Sequence, residues 1–396
     1  MTPPRHRIAD LHCHYPMHVL ADRSTEAIAD RESCGGPWFW LDGLRASLFT
    51  LAARLMNFSS WSASWRVDLA GLQQAQTGIV LSVLYDPAFE ILLVPGRQRP
   101  REGAFDALIC QLDCVEGELG RVDPGGESYR VVTTETELDD ALATGRTAFV
   151  HCVEGGFHLG VNPDEITENV ATLAVRGVAY ITLAHLWYRG IATNAPALPG
   201  WSDSRYHAIF HQHGNGLSPL GEAAITAMYE HKVLVDVAHM DADALADTFE
   251  LLDQLDTCHG ADPTAYPVIA SHAGVRLGGQ EYMLGEDTIT MIVERGGVVG
   301  LILARHQLYD GESAAEQLFE AVRRHVNTMY AITGCHDYTC IGSDLDGFIR
   351  PIKGIEGAAD LAGLASWFHG EYPADVADAI LFGNVERVVR KALPPG

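Results

Sequence analysis

Asp10-Leu11-His12-Cys13-His14 places two imidazoles two residues apart at the end of an apolar run. On an extended chain, residues two apart project to the same face, so both rings can address one centre with metal-ligand spacing. In a chain with 18 histidines, such a pair alone fits two unrelated surface or core histidines equally well. The same chemistry recurs, however, at the ends of other apolar runs. His151-Cys152-Val153-Glu154-Gly155-Gly156 closes a third run, where the glycines let the backbone turn away while the Glu154 carboxylate faces the centre. His185 closes a fourth, His239 a fifth, His272 a sixth and Asp344 an eighth. Each histidine taken singly suits a hydrogen-bonded rim position; six ionisable strand ends together make a ligand set. Asp10 and Asp236, inside their runs, suit orienting imidazoles or capping backbone groups. Asp346 competes with Asp344 for any role.

Strands running side by side must gather these residues. Eight short β-branched or apolar runs supply them, at 8–12, 79–84, 148–153, 178–184, 233–238, 268–271, 298–303 and 339–343. Most are followed by helical periodicity, which predicts βα units and, at eight units, a (β/α)8 TIM barrel. The clearest helix is 163–176, with Asn162 as cap, Pro163 at its first position, and Ile166, Val170, Leu173 and Ala174 on one face. Further helical patterns cover 219–231, 242–255, 286–295, 314–333 and 373–393. Residues 15–76, which include Trp38-Phe39-Trp40, and residues 186–217 are too long for simple turns and are expected as insertions at the C-terminal face. The whole chain, 1–396, reads as one barrel domain.

With 396 residues, 47% hydrophobic and a mean hydropathy of +0.03, the chain must bury a large core, which argues against disorder. A net charge of −25 without a basic cluster argues against nucleic acid and anionic membranes as partners. There is no bilayer-spanning apolar run and no signal-like core in residues 1–7, so a cytoplasmic protein is expected. Eight scattered cysteines predict reduced thiols, and the helical spacing of Cys110 and Cys114 predicts packing. His158, His211 and His213 fall on expected loops and suit solvated or substrate-facing roles. Cys335, His336 and Cys340 resemble a zinc fragment that nothing completes. No dinucleotide fingerprint, P-loop lysine pattern or G-x-S-x-G elbow occurs.

In order and spacing the residues resemble the membrane (renal) dipeptidase family, zinc peptidases of the amidohydrolase superfamily. The likeness runs through 10–14, 153–158, 180–185, 216–221 leading into 235–239, 267–272, 342–347 and Gly383-Asn384-Val385-Glu386-Arg387. The resemblance implies that His12, His14 and Glu154 hold one zinc, and that Glu154 bridges to a second zinc held by His239 and His272. It also implies that His185 contacts the substrate, that Asp344 transfers protons, and that the protein forms a homodimer acting on a small dipeptide-like substrate. Two departures stand out. His14 replaces the family's aspartate, leaving the site one negative charge poorer. The family's carboxylate-binding arginine is missing from Gln280-Glu281-Tyr282-Met283-Leu284, where nearby Arg276 is the substitute for substrate binding, or else a structural ion-pair residue.

The chemistry implied is metal-assisted amide hydrolysis, since two cations sharing a carboxylate lower the pKa of a bound water to about 7. Asp344 would take that proton and return it to the leaving amine, while His185 and one zinc stabilise the oxyanion. The same chemistry would serve N-acyl amino acids, lactams or lactones. A reading from another class is a metal-binding scaffold without activity.

Overall fold

The computed structural model describes residues 8–17, 66–86, 89–90, 99–100, 102–309 and 319–396. Among them, nine strands form one parallel sheet: β1 (Ile8–Cys13), β2 (Thr77–Leu84), β3 (Tyr129–Val131), β4 (Thr147–Glu154), β5 (Tyr180–Thr182), β6 (Leu234–Asp236), β7 (Ile269–Ala273), β8 (Val298–Leu301) and β9 (Thr339–Ile341). Eight correspond to the expected runs and follow one another as β1-β2-β4-β5-β6-β7-β8-β9, with helices between them: a nearly closed (β/α)8 barrel. β2 and β4 are buried at every position, as parallel strands covered by helices must be. The unexpected β3 is three residues long and lies beside the start of β4, at Tyr129↔Thr147 to Val131↔Phe149. β5 takes over that edge of β4 at Val153↔Ile181.

The seam between β1 and β9 carries the site. Beyond β9 the chain continues alongside β1: the backbone N–H of Asp344 donates to the His12 carbonyl (2.9 Å) and that of His14 to the Leu345 carbonyl (2.9 Å). These two bonds join the barrel's first and last strands and bring His12, His14 and Asp344 together.

The helix Pro163–Val175 shows why the elements form where the sequence places them. Asn162 Oδ1 accepts from the Glu165 N–H (3.0 Å), Pro163 opens the first turn, and Ile166, Val170 and Leu173 are buried. The cap is worth about 1 kcal/mol, and each buried aliphatic side chain about 1.5–3 kcal/mol. The expected 373–393 helix instead comprises Ala374–Asp378, a π-helical turn Ala379–Gly383 and Asn384–Ala392. The break lets Asn384 Nδ2 donate to the His336 and Thr339 carbonyls (2.8 Å each) at the start of β9. The described part of the expected 314–333 helix is Glu320–Thr333.

Of the two expected insertions, residues 186–217 cross the mouth of the barrel, carrying the helix Asp203–Ile209. The Ala195 N–H donates to the His239 carbonyl (2.8 Å), pinning the crossing to the end of β6. The other, including Trp38-Phe39-Trp40, lies outside the described residues from 18 to 65. One cysteine expectation is corrected. Cys110, half-buried on the helix Ala104–Val122, is disulfide-bonded rather than a reduced packing thiol. Cys13, Cys114, Cys152, Cys258, Cys335 and Cys340 are free thiols.

Candidate metal centre

The centre of the mouth is the Glu154 carboxylate, 1% exposed and without a hydrogen-bond partner on either oxygen. Gly155, at φ 91°, turns the chain away immediately after it, in the left-handed region where a Cβ would strike the Phe157 ring. Around Oε1 stand Nε2 of His272 (3.3 Å), His12 (3.5 Å) and His239 (3.6 Å); around Oε2 stand Nε2 of His185 (3.3 Å) and His14 (3.4 Å). Neighbouring imidazoles face one another nitrogen to nitrogen, His12 to His14 at 3.3 Å and His239 to His272 at 3.0 Å. His239 and Asp344 hold positive φ angles of 67° and 56°, a strained backbone of the kind concentrated at functional sites.

The hydrogen bonds behind the rings fix their tautomers. Tyr180 has one hydroxyl proton and donates it to the Leu11 carbonyl (2.8 Å), so towards His12 Nδ1 (2.9 Å) it can only accept. His12 is therefore protonated at Nδ1 and turns a lone pair inward from Nε2. Ser271 Oγ donates to Asp236 Oδ2 and accepts from His272 Nδ1 (2.8 Å), which directs the His272 Nε2 lone pair inward as well. Asp236 also accepts from the Ser271 and Ala238 backbone N–H groups, and Asp10 from those of Ser343 and His12. Asp236 thus acts behind the rings through Ser271, while Asp10 caps the backbone of His12 and Ser343. Asp346 caps the backbone of Arg66 and Val67 (2.9–3.2 Å), which separates it from Asp344.

Burial holds His12, His239 and His272 well below the ordinary imidazole pKa, so they are neutral. Burial also lifts Glu154 to about 7, against the lowering pull of His185 and His14. Neutral imidazole lone pairs and an orphaned carboxylate around one space form a set of acceptors that a divalent cation satisfies. Among the described residues, the groups able to hold an ion are His12–His14–Asp344, Glu154–His239–His272 and His12–Asp236–His272. Ser271 already bridges the last through hydrogen bonds.

His185 differs from the other imidazoles. Burial opposes its charge, but Glu154 and Glu90 outweigh burial and raise its pKa to about 9. Glu90 Oε2 lies 2.6 Å from His185 Nδ1 and accepts from the Tyr85 hydroxyl at 2.6 Å. Nothing in the spacing of the chain singled out Glu90, which follows β2 outside any periodic element. Asp344 Oδ1 lies 3.2 Å from His14 Nε2, and burial raises its pKa well above the carboxylate range. Gly347 makes room for it, since a Cβ there would fall 1.7 Å from Asp344 Oδ1.

A cavity opens over Glu154, His185, His239, His272 and Asp344. Its outer wall adds Tyr282, His306 and Gln307, none of which sequence reasoning found. Arg276 does not line it: its guanidinium donates to the Met283 and Glu281 carbonyls (2.8 and 2.7 Å) of its own loop. His158 is likewise structural, with Nδ1 2.8 Å from the Gly155 carbonyl, and His211 and His213 are exposed.

A parallel barrel whose mouth gathers histidines and carboxylates is the architecture of a metal-dependent hydrolase. The sequence model of the membrane dipeptidase family, peptidase family M19, matches residues 5–393, and the chain belongs to that family. A stretch of 183 residues is 28% identical to the uncharacterized protein in the pqqA 5′ region of Klebsiella pneumoniae, spanning 45% of this chain and 61% of that relative. The fold is shared with dipeptidase AC, a metallo peptidase, at TM-score 0.69 and 20% identity over 99% of both chains. It is shared equally with a metallo peptidase from Rhodobacter sphaeroides liganded with a phosphinate mimic of the dipeptide L-Ala-D-Ala (TM-score 0.69, 18% identity, 99% of this chain and 100% of that one). The probable dipeptidase PvdM from Pseudomonas aeruginosa matches at TM-score 0.59 and 16% identity over 84% and 90% of the chains.

Proposed function

We propose that this chain is a metal-dependent dipeptidase whose centre holds two divalent cations, zinc by family, with Glu154 between them. The single observation carrying this reading is the buried Glu154 carboxylate with both oxygens unpartnered and imidazole nitrogens on each side. His12 and His14 would hold one cation, and His239 and His272 the other. When bound, such a pair polarises the scissile carbonyl and acidifies the attacking water.

The chain's own residues do the rest. Asp344 Oδ1, at the wall of the cavity, accepts the proton of the attacking water and returns it to the departing nitrogen, its ionised form serving the first step and its neutral form the last. His185, kept cationic by Glu90 and Glu154, presents Nε2–H to the oxyanion that develops on the substrate carbonyl. The crossing residues 186–217 narrow the mouth through Leu186, Ala197 and Pro199, which selects small substrates.

Metal content measured together with turnover of L,L and L,D dipeptides tests the reading. About two zincs per chain with dipeptide hydrolysis is the expected result. Two metals with turnover only of N-acyl amino acids, lactams or lactones would replace it, and metal without any hydrolysis would leave a binding scaffold.

A further inference from the structure

Away from the metal-ligand candidates and His185, the wall of the inner cavity is uncharged, with Tyr282, His306 and Gln307 as its polar members. Among the described residues, no Lys or Arg lines it. The His185 imidazole is already engaged by Glu90 at 2.6 Å and Glu154 at 3.3 Å. His306 adds no charge, since burial pushes its pKa down to about 4. Next to it stands Gln307, 3% exposed, whose side-chain oxygen is buried without a hydrogen-bond partner. An orphaned acceptor of this kind is costly unless something donates to it. Ala197, His306 and Gln307 also line a second, larger cavity whose wall includes Trp201 and Asp203. Gln307 therefore borders both the inner cavity and the outer one.

We infer that Gln307 is a specificity-determining residue that pairs with a neutral amide N–H of the substrate, so that the preferred substrates are carboxyl-blocked dipeptides or longer peptides extending into the outer cavity. This deepens the dipeptidase reading and rests on it for the chemistry. A free terminal carboxylate has no proton to offer the Gln307 oxygen, and among the described residues no Lys or Arg lines the cavity to pair with it beside Glu154 and Asp344. A carboxamide or a further peptide bond supplies the missing donor and carries no charge. A site built around such a hydrogen bond discriminates strongly against ligands that leave it unmade.

The test uses the metal-loaded full chain with Ala-Ala, Ala-Ala-amide and Ala-Ala-Ala, together with calorimetric binding of reduced-bond (CH2–NH) analogues of Ala-Ala ending in carboxylate or carboxamide. Wild type is expected to favour the amide over the free dipeptide by about 10-fold or more in kcat/KM and in Kd. Gln307→Leu, close in volume, is expected to remove that preference mainly through KM. Gln307→Arg is expected to invert it in favour of the free carboxylate. Equal or better handling of the free dipeptide by wild type, or an unchanged ratio in both variants, would overturn the inference. If nothing is hydrolysed but the carboxamide analogue still binds about 10-fold tighter and Gln307→Leu abolishes that difference, the binding role stands and the dipeptidase reading fails.

Discussion

Ser271 Oγ lies 2.8 Å from His272 Nδ1 and 3.0 Å from His12 Nδ1, so that one hydroxyl stands behind an imidazole of each proposed ligand pair. It is held there by its own bond to Asp236. The orientation of both rings thus depends on a residue that touches no substrate.

Ser271→Ala should lower metal affinity by about 10–100-fold, the usual scale for losing a group that orients ligand histidines. It should also cost about 1–3 kcal/mol of stability, because the Nδ1–H groups and Asp236 lose a buried partner. Metal titration and urea unfolding of the metal-free protein would show both, and Ser271→Thr should recover part of the affinity.

Asp344→Asn should keep the metal and lose about 10²–10⁴-fold in kcat, the contribution of a positioned general acid–base. Its neighbour His14 stays in place, because Asn keeps the shape that Gly347 accommodates. Loss of one metal along with activity would reassign Asp344 as a ligand beside His12 and His14, while full activity would remove it from the reaction.

Glu90→Gln should lower the His185 pKa from its value of about 9, since one of the two carboxylates opposing the effect of burial is gone. The folded-state pKa is raised above the unfolded value of about 6.5, so the stability from this pairing is fully present below pH 6.5 and lost as pH rises through 9. In metal-free protein, imidazole titration by NMR should show the downward shift. The stability gap between wild type and variant should narrow across the same interval.

Metal uptake by the metal-free protein should strengthen with pH up to about 7 and then level off. Glu154, raised to about 7 by burial, carries a proton below that pH which an incoming cation must displace. The neutral histidines His12, His239 and His272, held well below their ordinary pKa, contribute no comparable step in that range. Competition titrations at pH 5.5 to 8 should give a slope of about tenfold per pH unit on the acid side; a flat profile would contradict the raised carboxyl.

The barrel was legible because parallel strands buried on both faces are continuous apolar runs, and the polar residues ending them stand out by contrast. The helix Pro163–Val175 could be read down to its cap, since capping is local chemistry. β3 escaped because three residues carry no period. Glu90, Tyr180, Tyr282 and Gln307 escaped for another reason: their roles come from what lies across the barrel mouth, 95 residues away in the chain for Glu90 and His185. Arg276 shows the converse, being placed near the right segment by spacing yet bonded to its own loop.

The seam between β1 and β9 has a consequence for how the protein comes into being. Residues 12 and 14 leave the ribosome well before residue 344, and two backbone bonds across that seam join the two segments. An interrupted translation product lacking the barrel's last strand would hold most of the imidazoles but not the geometry that seats them, so cation capture should report that this strand has been made and docked.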